Sequence, residues 1–257
     1  MATFAVVHGA GGSAWEWHLV AAELTARGHD VVAVDLPCED EDAGLAEYAA
    51  TVADAVEEHR RAAPAAGSGV VVVAHSLGGF TAPLLCDLLP VDRLVLVAGM
   101  VPLPGETAGE WWETSGYKAA ARERAEREGV AVTMDDDAGL VATFLHDLDP
   151  RLAAEALRRS RDQAGRPMDE PWPLAAWPDM PTSYLIFADD RLFPPEFLRR
   201  MVRERLGIEP DEMPGSHAAY LSRPAELAGR LERYAAGAAG AAGTLAPGVR
   251  TGPTGGG

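Results

Sequence analysis

Ser76 stands where an apolar run, Val70-Val71-Val72-Val73-Ala74-His75, gives way to Leu77-Gly78-Gly79. A serine hydroxyl attacks a carbonyl carbon at neutral pH only if an imidazole takes its proton and a carboxylate orients that imidazole. The chain supplies both further on. Asp189 and Asp190 follow the run Tyr184-Leu185-Ile186-Phe187-Ala188, and His217 follows Pro214-Gly215-Ser216. The order Ser, Asp, His is that of a nucleophile carried on a strand-to-helix elbow, whose pattern is Gly-x-Ser-x-Gly. Here it reads Ala74-His75-Ser76-Leu77-Gly78, with alanine in place of the first glycine. The alternative is an ordinary strand-to-helix turn in which Ser76 caps the helix.

Of the seven histidines, His217 sits in a loop after the last core strand. His18, His29 and His59 fall on predicted helices or their ends. His8 and His75 flank the glycine loop and the serine, where they hold loops or line a pocket. His146-Asp147 reads either as a pocket dyad or as a helix-end hydrogen bond. The loop His8-Gly9-Ala10-Gly11-Gly12 leaves the first strand and invites a dinucleotide reading, with Asp35 as ribose ligand. It lacks the third glycine of Gly-x-Gly-x-x-Gly. A loop without side chains serves better to aim backbone N–H groups at a developing oxyanion, so the expected donors are Ala10 and Leu77.

These residues must be positioned by strands and helices. Four successive valines before the elbow suit a strand buried on both faces of a parallel sheet. Comparable strands are expected at Phe4–Val7, 31–34, 93–98 and 183–188, with a short extended piece at 210–213, alternating with helical patterns. That alternation predicts an α/β fold with a mostly parallel, doubly wound sheet of about six strands and helices on both faces. The core is assigned to 1–100 and 182–236. Residues 101–181 carry no clear strand and most of the large aromatics, and are assigned to a helical cap over the catalytic edge. His75, Trp111, Trp112 and Phe144 are the candidate substrate-pocket residues. Residues 237–257, rich in Ala and Gly, are expected to be a disordered tail. Asp135-Asp136-Asp137 has no neighbouring ligand spacing and reads as a turn or helix start.

Composition narrows the function classes. The 257 residues, 47% of them hydrophobic, can bury a large core. With 39 Asp and Glu against 22 Lys and Arg, the formal charge of −17 disfavours nucleic acid and anionic membranes as partners. Cys38 and Cys86 have no CxxC spacing, so neither a disulfide framework nor a zinc site is implied. No metal or organic cofactor is expected. No signal segment is read at the start, and a cytoplasmic location is the expectation. A homodimer is left open.

His8-Gly9-Ala10-Gly11-Gly12 with Trp15 and Trp17, the Ser76 elbow, Phe193-Pro194-Pro195-Glu196-Phe197 and His217-Ala218-Ala219-Tyr220-Leu221-Ser222-Arg223-Pro224 resemble the α/β-hydrolase fold. The branch is that of plant methyl esterases and hydroxynitrile lyases and their bacterial relatives, over residues 4 to about 235. In that family the acid is followed, three and four residues on, by an apolar residue and proline. Asp190 has Phe193 and Pro194 there, so the resemblance assigns the role to Asp190 and leaves Asp189 as a turn residue. The lyases carry threonine after the loop histidine and lysine after the catalytic one, where this chain has Gly9 and Ala218. The resemblance therefore implies hydrolysis of a small, largely apolar carboxylic ester through an acyl-enzyme. Lyase or lactonase chemistry on the same residues, or a ligand receptor with little turnover, are the alternatives.

Overall fold

The computed structural model describes residues 1–63, 69–129 and 132–241. The apolar runs form six strands, β1 (Thr3–Val7), β2 (Asp30–Ala33), β3 (Val70–His75), β4 (Val91–Val97), β5 (Thr182–Phe187) and β6 (Asp211–Met213). Every pairing is parallel, in the order β2-β1-β3-β4-β5-β6. Every residue of β1 and β3 is buried, as expected for central strands covered on both faces.

The chain leaves β1 toward β2 on one side and then crosses back to β3 on the other. Right-handed crossovers in opposite directions put the connecting helices on opposite faces. The first is α1 (His18–Ala26), preceded by a 3-10 turn, Ala14–Trp17; the second is α2 (Leu45–Ala62). The reversal opens a crevice beyond the carboxyl ends of β1 and β3, where ligands bind in such sheets. Gly9 and Ser76 border it.

After the elbow comes α3 (Gly78–Thr81), only one turn long, which continues as a 3-10 turn over Ala82–Asp87. The sequence predicts a longer helix with Leu88 on its apolar face, yet Leu88 is 52% exposed. Pro83 explains the change, because it has no N–H to donate and its ring crowds the preceding turn.

Between β4 and β5 lie α4 (Ala108–Thr114), α5 (Tyr117–Glu128), α6 (Asp137–Phe144), α7 (Pro150–Arg158) and α8 (Arg166–Asp169). The Thr107 hydroxyl caps α4 by accepting from the Glu110 N–H, and Asp136 caps α6 by accepting from the Gly139 N–H. The three aspartates at 135–137 thus supply a helix cap. Trp172 Nε1 donates to the Phe80 carbonyl at 3.0 Å, tying the end of this segment to the elbow helix. Beyond β5 come α9 (Pro195–Leu206), α10 (Ala219–Ser222) and α11 (Pro224–Ala241). Helix α11 packs on α1 and β4. It carries residues 237–241, which the sequence assigns to a disordered tail; alanine's high helix propensity lets it run through Gly237 and Gly240. The rest of that assignment, 242–257, lies outside the described residues. Among the described residues no helix is long and apolar enough to cross a membrane.

Candidate active site

The elbow is built by close approach. Ser76 has φ 51°, a left-handed conformation that non-glycine residues rarely adopt. A methyl at Gly78 would lie 2.6 Å from the Val7 carbonyl oxygen, and one at Gly79 would lie 1.9 Å from that of Met100. Glycine is therefore required at both positions. Ala74 is fully buried in β3 and occupies its place without a left-handed φ.

His217 Nδ1 and Asp190 Oδ2 are 2.7 Å apart. Asp190 is wholly buried, and its Oδ1 accepts from the N–H groups of Leu192 and Phe193 at 2.8 and 3.0 Å. That oxygen is fixed as an acceptor, so the other must take the imidazole Nδ1–H, leaving Nε2 as the basic nitrogen. Phe144 and Phe193 pack edge-to-face with the His217 ring at centroid distances of 5.6 and 5.2 Å and restrict its plane. Among the described residues, no hydrogen bond joins Ser76 to His217; the two share the wall of one cavity.

That cavity has a volume of about 280 Å³, suited to a small organic group. Ala10 and Leu77 lie on its wall. Among the described residues, neither the Ala10 nor the Leu77 N–H donates to a protein acceptor. The glycine loop is held from several sides. The Gly12 N–H donates to the Gly9 carbonyl at 3.2 Å, closing a turn whose third residue, Gly11, needs its φ of 60°. His8 Nε2 accepts from the Leu36 N–H at 3.0 Å, so its Nδ1 carries the proton and donates to the Gly9 carbonyl at 2.8 Å. Burial lowers the pKa of His8, which suits this neutral tautomer. From the segment after α7, the Arg161 N–H donates to the Gly11 carbonyl, and Gln163 Oε1 accepts from the Gly11 N–H. Sequence reasoning missed Arg161 and Gln163; nothing in their local pattern marks them.

His75 donates through Nε2 to the His217 carbonyl at 3.0 Å. Burial, reinforced by the neighbouring His217, holds its pKa far below the ordinary imidazole range, so it fixes the backbone of the base. Asp35, weighed as a ribose ligand, accepts from the Ala14 N–H at 2.7 Å. Asp189 is exposed, and its Oδ2 accepts from the Gly215 N–H at 2.8 Å, a turn role. His146 and Asp147 form no dyad. His146 Nε2 donates to the Asp189 carbonyl, and Asp147 Oδ2 accepts from the Ser216 N–H and the Ser222 hydroxyl. Together they clamp the loops that carry Asp190 and His217. Burial alone would raise the Asp147 pKa, but the Ser216 and Ser222 hydrogen bonds outweigh it and leave it lowered.

Of the pocket residues expected from sequence, His75, Trp112 and Phe144 line the cavity and Trp111 does not. Trp111 is fully buried beneath α4, with Phe193 and Phe197 rings at 5.4 and 5.6 Å and its Nε1 donating to the Val101 carbonyl. Adjacent helical residues point about 100° apart, so only one of the two tryptophans can face the cavity.

A family model described as "Alpha/beta hydrolase family" matches residues 4–230. The chain belongs to the alpha/beta hydrolase family. Within it, the chain is 29% identical over 260 residues to "Probable esterase PIR7A" of Oryza sativa, covering 91% of this chain and 96% of that protein. It is 36% identical over 104 residues to "Methylesterase 7" of Arabidopsis thaliana, covering 38% of this chain and 40% of that one. Both are plant proteins and give no support to a bacterial branch of the family. Among solved structures, polyneuridine aldehyde esterase superposes with a TM-score of 0.71 at 19% identity, covering 91% of this chain and 99% of the other. At that identity the likeness speaks for the family's fold alone.

Proposed function

We propose that the protein is a serine hydrolase that cleaves a small, largely apolar carboxylic ester through an acyl-enzyme on Ser76. One observation carries the reading. A strained, accessible serine shares a cavity with an imidazole fixed by a buried carboxylate and with two backbone amides that have no protein acceptor among the described residues. Family membership and the esterase relatives point the same way.

In this reading Ser76 Oγ attacks the ester carbonyl carbon as His217 Nε2 takes its proton, and Asp190 stabilises the resulting imidazolium. The Ala10 and Leu77 N–H groups receive the oxyanion, and each is worth about 3–4 kcal/mol in the transition state. Collapse breaks the bond to the alcohol oxygen, which leaves with the proton from His217. Water, deprotonated by the same imidazole, then attacks the acyl carbon and releases Ser76. Hydrogen bonds between nucleophile and base are commonly loose before substrate arrives and tighten in its presence.

The segment 101–181 acts as a cap in this account, since Trp112, Phe144, Leu140 and Leu157 bring apolar surface to the cavity. Gly9 and Ala218 bring no side-chain hydroxyl or ammonium group, which argues against cyanohydrin cleavage. The unpaired thiols Cys38 and Cys86 suit an intracellular setting.

A panel of short p-nitrophenyl and aryl methyl esters tests the proposal on wild type and Ser76→Ala. Turnover that disappears in the variant is expected. Absence of serine-dependent turnover across the panel would rule the reading out.

A further inference from the structure

Part of the cavity wall is polar yet takes no role in the steps above. Glu16, in the 3-10 turn Ala14–Trp17, reaches the cavity, as do Tyr220 on α10 and Ser160 after α7. The Glu16 carboxyl lies against the oxyanion loop, and a methyl at Gly12 would be 2.5 Å from its Oε2. Glycine at 12 makes the room that carboxyl occupies. At the other end of the same turn, a methyl at Gly9 would lie 3.0 Å from Ser76 Cβ. The Gly12-to-Gly9 hydrogen bond closes the turn, and the ends of such a turn lie within about 7 Å of each other. Carboxyl and nucleophile thus border opposite ends of one short turn on the wall of the same cavity.

Among the described residues, the charged and titratable groups around Glu16 leave it without a cation. His8, at the end of β1, has its pKa lowered by burial. Asp35, after β2, adds negative charge, and the Tyr220 phenol is held well above its ordinary range by burial, with Glu16 and Asp190 contributing. Arg161 is engaged by Glu39 and the Leu36 carbonyl, and Arg159 pairs with Glu155 and stands over Trp15 at 4.9 Å. His75 and His217 belong to the machinery already described.

Resting on the ester hydrolase reading, we propose that Glu16, on the same cavity wall as Ser76, donates a hydrogen bond to a neutral ether or keto oxygen β or γ to the scissile carbonyl. Substrates would then be alkoxy- or keto-substituted esters. The reach suits a short acyl chain, because the carboxyl and the nucleophile border opposite ends of one four-residue turn on a common cavity wall. Burial is the main cause that raises the Glu16 pKa, to about 7; Asp35 adds to it and the Ser13 backbone hydrogen bond opposes it. Glu16 is therefore a donor on the acid side of neutrality and an acceptor on the alkaline side, where it offers an ether oxygen no proton.

The test compares methyl β-methoxypropanoate with methyl pentanoate, which differ by oxygen for methylene. The ratio of their kcat/KM values on one enzyme cancels the protonation of His217. In wild type this ratio is expected to fall by about tenfold between about pH 6 and about pH 8.5. Glu16→Gln, whose amide donates at every pH, should give a ratio that does not change with pH. Glu16→Leu should give a low and constant ratio; if it does not fold, Glu16→Gln carries the test. A wild-type ratio that is constant with pH, or a Glu16→Gln ratio that falls as in wild type, overturns the subsite while leaving the hydrolase reading intact. Wild type that turns over neither ester while hydrolysing a p-nitrophenyl ester overturns the subsite alone; wild type inactive on these esters and on the whole p-nitrophenyl and aryl methyl ester panel removes the hydrolase reading and the subsite with it.

Discussion

Replacing Asp190 by asparagine separates the orientation of the base from its presence. Asp190 Oδ1 is held by the Leu192 and Phe193 amides at 2.8 and 3.0 Å, so the asparagine must set its carbonyl oxygen there. Its NH2 group then faces His217 Nδ1, where the carboxylate now sits at 2.7 Å. A neutral imidazole beside that donor puts its own proton on Nε2, toward Ser76, and has no lone pair left for the serine proton. With the oxyanion amides and cavity unchanged, kcat/KM should fall by about 10⁴, or about 5.4 kcal/mol of transition-state stabilisation. Folding should lose only about 1–2 kcal/mol, because the backbone hydrogen bonds survive with a neutral acceptor. Steady-state hydrolysis of an activated ester, a thermal melt and the ¹⁵N shifts of the imidazole together read out rate, fold and tautomer. Asp189→Asn is the control, since among the described residues the Asp189 side chain accepts only from the Gly215 amide, and its loss in rate should stay within about threefold. A folded Asp190→Asn protein that keeps more than about a tenth of wild-type kcat/KM would refute the reasoning.

Two further substitutions follow from the same geometry. Asp147→Asn weakens the hydrogen bonds from Ser216 and Ser222 that clamp the His217 loop and should destabilise by about 1–2 kcal/mol near neutrality. Because the Asp147 pKa is lowered in the folded protein, its contribution is present above the ordinary carboxylate range and lost as pH falls through the folded value; denaturant titrations should show wild type and variant converging under acid. Ala74→Gly restores the literal elbow pattern, yet it removes a buried methyl and adds backbone freedom in β3, so melting should report a loss of about 1–2 kcal/mol while kcat/KM stays within about threefold.

What the sequence made legible was what local pattern determines. Four valines running into a small-residue turn predict a strand covered on both faces, and β3 is that strand. Ser76 stood out at the end of an apolar run and His217 in a Pro-Gly-Ser loop, whereas local pattern offered Asp189 and Asp190 alike and the family resemblance chose Asp190. Side-chain direction was harder. Trp111 and Trp112 are equivalent by composition, and only the capping of α4 by Thr107 and its packing on Phe193 and Phe197 decide which one is buried. The clamp made by His146 and Asp147 depends on loops far away in the chain. Glu16 gave no signal either, since a carboxylate between two tryptophans reads as the polar side of an amphipathic turn until the cavity closes over it.

Covalent capture of the nucleophile tests the central claim most directly. Incubation with a fluorophosphonate, followed by peptide mass mapping, should place one adduct on Ser76, and none should form in Ser76→Ala. A wild-type enzyme that hydrolyses esters yet carries the label elsewhere, or carries none, would contradict an acyl-enzyme at the elbow.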